Sequence, residues 1–138
     1  MKIQLKEKYG VLVKFVDKDY SLTKKLVDWD KRGVVGSFNA GPPPTMFLLS
    51  NNASELTIFH EKVHMEIWYN KLNKMHIIDE EKLVFDAIYR NKSRWTNAEL
   101  LDSYNYVNKL IYETNQKGKN FPYLFIPEIE GLKFIVNL

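Results

Sequence analysis

The chain has 138 residues, the length of one domain with a hydrophobic core that needs no covalent staple. Its 45% hydrophobic content places it among globular rather than disordered proteins. The net charge of +3 is spread along the chain with both signs mixed, and the basic runs at 71–74 and 117–119 are short, which argues against a nucleic-acid footprint. The absence of cysteine excludes a disulfide framework and every thiolate metal site, so any metal falls to His, Asp or Glu.

The opening residues Met-Lys-Ile-Gln-Leu-Lys-Glu-Lys are interrupted by charge too often for a signal peptide. No run approaches 18 apolar residues, so no membrane span is expected. The chain as given is expected to be cytoplasmic or a piece of something larger.

In chain order, Gly10 to Val16 reads as a strand from its Val, Leu and Phe content. Ser21 to Trp29 has helical spacing in Leu22, Leu26 and Trp29, closed by Arg32-Gly33. Val34 to Phe38 is a second strand. Gly41-Pro42-Pro43-Pro44 is a stiff break, and Met46 to Leu49 a third strand. Asn51 and Asn52 form a turn. Ser54, or Asn52, caps a helix running from about residue 53 or 55 to Leu72. A second helix starts at Ile78 or Asp79 and fades at 91–94. Thr96-Asn97-Ala98-Glu99 is a capping box that opens a third. Leu132 to Val136 reads as a closing strand. No repeat or second domain is visible, so one α+β domain over residues 1–138 is expected.

Chemistry concentrates at His60-Glu61-Lys62-Val63-His64. Histidines four residues apart share one helix face and can hold one Zn²⁺ between them. The glutamate after the first histidine reaches a metal-bound water without ligating the metal. This is the H-E-x-x-H pattern of zinc peptidases, and it falls within a helical pattern of Ile58, Phe59, Val63 and Ile67. The bland alternative is a solvated helix face carrying two histidines.

A catalytic zinc usually takes three protein ligands and leaves a fourth position for water. Asn70 stands where a compact three-histidine motif needs its last histidine. A glutamate from the next helix is the other common solution, and Glu80 and Glu81 both lie at its start. Helical geometry does not choose between them, and an acidic first turn is also favoured by the helix dipole alone. His76 is a further candidate ligand, or an ordinary loop residue.

The run from Phe59-His60-Glu61-Lys62-Val63-His64 through Glu81-Lys82-Leu83-Val84-Phe85-Asp86 to Thr96-Asn97-Ala98-Glu99 resembles the zincin-like metallopeptidase toxin domains of bacterial polymorphic toxins. The resemblance spans about 38–107 and departs at Leu83, where an aromatic is common. The Glu-x-x-x-Asp spacing of thermolysin-type enzymes is also absent, since Asp86 lies five residues after Glu81. The resemblance implies a compact minimal zincin-like fold, with a small mixed or antiparallel sheet packed on the motif helix and two further helices. It implies Glu81 as third ligand beside His60 and His64, and Tyr106 as a catalytic tyrosine. It further implies a protein or peptide substrate, a cognate immunity protein, and delivery as the C-terminal domain of a larger toxin.

On that reading zinc activates a water, and Glu61 takes its proton and returns it to the leaving amine. Tyr106, Tyr104 and His76 are candidate donors to the oxyanion, with Tyr104 better suited to packing. In zincins an extended peptide lies along an edge strand above the metal helix, and Met46 to Leu49 is the candidate strand here. Two other classes compete. A metal-binding protein without peptidase activity would take up zinc and spare peptides. An interaction module with an accidental motif would not bind zinc.

Overall fold

The computed structural model describes residues 2–32, 34–50, 53–70 and 74–136. The chain is α+β, as its sequence leads one to expect. In order it has α1 (Lys2–Tyr9), β1 (Leu12–Phe15), α2 (Thr23–Arg32), β2 (Gly36–Asn39), β3 (Thr45–Leu48) and α3 (Glu55–Tyr69). Then follow α4 (Ile77–Arg90), α5 (Asn97–Gln116) and α6 (Pro127–Val136). The chain falls into two compact units, Met1–Asn73 and Lys74–Leu138.

In the first unit the sheet order is β1-β3-β2. β3 runs parallel to β1 and antiparallel to β2, so the sheet is mixed. Alternation sends Val13, Met46 and Leu48 to one face, where they pack with Leu5 of α1 and Met65 of α3. Lys25 of α2 lies over the Phe47 ring on the other face, 4.5 Å from its centroid. The position of β3 corrects one expectation. Residues 46–49 do not form an edge, because β3 is paired along both sides. β2 is the edge strand that comes against α3, with Phe38 tilted on Trp68 at 5.4 Å. The proline run lies in the connection between β2 and β3. Gly41 turns the chain there at φ 79°, and its N–H bonds Asn39 Oδ1 at 2.8 Å.

Ser54 caps α3 as expected, its hydroxyl accepting from the Thr57 N–H at 3.1 Å. The expected turn at Asn51-Asn52, the stop at Gly33 and the helix end at Leu72 lie outside the described residues. Helix α1 has no counterpart in the sequence reading. Its apolar residues Leu5 and Tyr9 are diluted by Lys6, Glu7 and Lys8, and it is burial of Leu5 in the core that holds it.

In the second unit, α4 starts at Ile77 because His76 is its cap. The ring Nδ1 accepts from the Ile78 N–H at 3.0 Å, and the ring packs on Phe121 at 4.6 Å. The capping box at Thr96 is formed in full. The expected closing strand at 132–136 is instead the end of helix α6. Pro127 opens that helix where its missing N–H costs nothing, Glu128 and Glu130 fill its first turn, and Ile129 is buried. The β-branched residues at its end suggest a strand only when that start signal is ignored.

The segment between α5 and α6 is fastened by side chains of α5. Asn108 accepts from the Leu124 N–H at 2.9 Å and donates to its carbonyl at 3.1 Å. Asn115 does the same for Phe121, at 2.8 and 3.0 Å. The Tyr104 hydroxyl proton is shared between the Leu124 carbonyl, at 2.9 Å, and the Glu130 carboxylate.

The bond from Tyr104, and then Lys133, holds the Glu130 carboxyl below the usual carboxylate range. A carboxylate with a lowered folded pKa adds stability above its unfolded pKa, and that stability is lost as pH falls through the folded value. Unfolding of this unit is therefore expected to become easier below a pH of about 4.3, the free glutamate value. Glu130→Gln should flatten that limb when urea midpoints are measured against pH. A limb equally steep in the variant would remove Glu130 from the account.

Candidate metal centre

Helix α3 turns the two motif histidines onto one face, and their Nε2 atoms meet at 3.2 Å. Metal–nitrogen bonds of 2.0–2.1 Å in a tetrahedron set neighbouring nitrogens about 3.3 Å apart. The imidazole pair thus already has the spacing of two tetrahedral ligands. The rings are half-buried, with centroids 4.9 Å apart.

Glu61 points to the next face of the helix and is buried, 7% exposed. Ligand atoms of His60, Glu61 and His64 all lie within 4.8 Å of one another. Among the described residues these three form the group that could hold a metal ion. The donor set is two imidazoles and a carboxylate, which suits zinc and other first-row cations and gives calcium too few oxygens.

Gly36 of strand β2 comes close to the Glu61 side chain. A Cβ on Gly36 would stand 3.1 Å from both Cγ and Oε2 of Glu61, and 2.9 Å from Cγ2 of Thr57. Thr57 is one helical turn before Glu61, so Gly36 meets the same face of α3 at two successive turns. Gly36 lies outside the H-E-x-x-H motif and its flanking residues. Its only signal was a glycine inside an apolar strand, where glycine marks a bulge or a close approach.

The remaining predicted residues belong to the second unit. Glu81 lies in α4 and is buried, 4% exposed. Glu80 beside it is half-buried. Tyr106 lies on α5 outside the buried stripe of Leu100, Leu101, Tyr104, Val107 and Ile111, and is 45% exposed. Tyr104 is fully buried with its hydroxyl spent on the α5–α6 segment, which is the packing role its spacing suggested. His76 has Nδ1 committed to the α4 cap. Trp95 is a core residue, buried with its ring N–H on the Ile88 carbonyl at 3.1 Å.

Among the described residues no helix is long and apolar enough to cross a membrane. No known protein family, curated protein or solved structure matches the chain.

Proposed function

We propose that this chain is a zinc-dependent endopeptidase. The observation that carries the reading is the imidazole pair at tetrahedral spacing with a buried carboxylate beside it on one helix. His60 and His64 would hold the ion, with Glu81 as third ligand by resemblance to zincin-like toxin domains. By the same resemblance the chain is a toxin or effector domain with a cognate inhibitor, and Tyr106 is its site tyrosine. Zinc bound there supplies Lewis acidity toward a carbonyl and toward water. Glu61 accepts the proton of the attacking water and returns it to the departing amine.

The substrate backbone is assigned to the outer edge of β2. The Leu49 N–H bonds the Val35 carbonyl at 2.9 Å, and the register sets Gly36 opposite Leu48. In an antiparallel pair bonded positions alternate, so Val35, Ser37 and Asn39 face β3, whereas Gly36 and Phe38 turn their N–H and C=O outward. Among the described residues no strand pairs with that edge. An extended peptide adding there gains main-chain bonds beside Glu61.

The test is metal content by elemental mass spectrometry, paired with chelator-reversible cleavage of unfolded protein substrates. Near-stoichiometric zinc is expected in the parent and in Glu80→Ala, with loss in His60→Ala, His64→Ala and Glu81→Ala. Zinc retained in Glu81→Ala would move the third ligand to Glu80 or His76. A parent that binds no zinc after reconstitution sinks the enzyme reading. A parent that binds zinc and spares peptides points to a metal protein of another kind.

A further inference from the structure

Strand β2 is short and lies at a sheet edge, a place where glycine weakens pairing and contributes no side chain. Gly36 does not need a left-handed backbone, since it is absent from the positive-φ glycines. What it supplies is space. Any Cβ at this position would press on Thr57 Cγ2 at 2.9 Å, closer than real Cβ contacts come. Thr57 is β-branched on a helix, where its χ1 has few alternatives, so that methyl cannot move aside cheaply. The same Cβ would sit 3.1 Å from Oε2 of Glu61, one oxygen of the carboxylate that handles the proton in the reaction proposed above.

We propose that Gly36 is a positioning residue for Glu61: it leaves room on the strand side for the carboxylate to stand beside the metal. The inference rests on the zinc-peptidase reading. Its content is separate, because it concerns where one carboxylate stands on α3 and not what the protein cleaves. The contact with Thr57 bears on packing, and the contact with Glu61 bears on chemistry. A substitution at position 36 strains both, and the two can be pulled apart. Removing the Thr57 methyl relieves the first and leaves the second.

The experiment compares the parent, Gly36→Ala, Thr57→Ser and the Gly36→Ala/Thr57→Ser double variant as full chains. Melting temperature, zinc content, kcat and KM on a peptide, and the visible spectrum of cobalt-substituted protein are measured for each. Gly36→Ala is expected to keep its zinc, melt earlier, and lose about 10–100-fold in kcat, the scale of a misplaced catalytic group. The double variant should regain most of the melting temperature and none of the kcat, and its cobalt spectrum should differ from that of Thr57→Ser.

Recovery of kcat in step with stability would overturn the proposal, as would full activity in Gly36→Ala. Loss of zinc in the double variant would overturn it too, since the role would then lie in holding the metal. If the parent binds metal and cleaves no peptide, the peptidase reading fails by itself and the cobalt spectra decide on Gly36. Identical spectra with and without the alanine then reject it. A parent that takes up neither metal overturns both.

Discussion

Glu61→Gln is expected to lower kcat for peptide hydrolysis by about 10²–10⁴-fold, the range associated with a general acid–base group, while zinc content stays at the parent level. Glutamine keeps the shape and length of the side chain, so it fits the buried space that Glu61 fills. It cannot accept the proton of the attacking water at neutral pH. His60→Ala should differ in kind, losing metal and activity together. The comparison also settles a choice that the cluster itself leaves open. Glu61 lies near enough to both imidazoles to serve as a ligand. If Glu61→Gln loses zinc as His60→Ala does, the carboxylate is a ligand and another group must be the base. If it keeps zinc and full activity, Glu61 is neither.

Tyr104→Ala is expected to destabilise the second unit by about 3–5 kcal/mol, the usual cost of removing a large aromatic from a core. Tyr104 is 0% exposed and packs on Phe85 with ring centroids 5.9 Å apart. Its hydroxyl also joins the Leu124 carbonyl and the Glu130 carboxylate, which lose a donor on truncation. Tyr104→Phe separates the two contributions. It keeps the ring and should cost about 1–3 kcal/mol, the penalty of leaving a part-buried polar group without its partner. Chemical denaturation followed by Tyr and Trp fluorescence measures both. Under conditions where the protein stays folded, Tyr104→Phe should leave kcat unchanged. A selective fall in kcat would return Tyr104 to the list of oxyanion donors.

Local signals made much of this structure legible. Ser54 and the capping box at Thr96 marked two helix starts, because caps act within a few residues. The grouping of His60, Glu61 and His64 was legible for the same reason, since one helix supplies all three side chains. Strand order was not. Nothing in Thr45–Leu48 says that it joins Leu12–Phe15 in parallel, because that pairing is decided by tertiary packing. Hence the central place of β3 and the edge place of β2 cannot be read from their residues alone. Helix α6 is masked in the sequence because the strand propensity of Phe134, Ile135 and Val136 competes with the start signal of Pro127 and the two acids that follow it. Gly36 was missed because its partner atoms lie some twenty residues away in sequence.

The central place of β3 has a consequence for how the sheet comes into being. Of the three strands it is the last to be synthesised, yet both others hydrogen-bond to it and not to each other. Until residues 45–48 have left the ribosome, β1 and β2 have no sheet partner. The sheet then forms by insertion, closing a short loop to β2 and a much longer one, across α2, to β1. The longer closure carries the larger entropic cost, so the hairpin of β2 and β3 is expected to form before β1 docks. A nascent chain stalled after Pro44 would have every residue of two strands and no sheet at all.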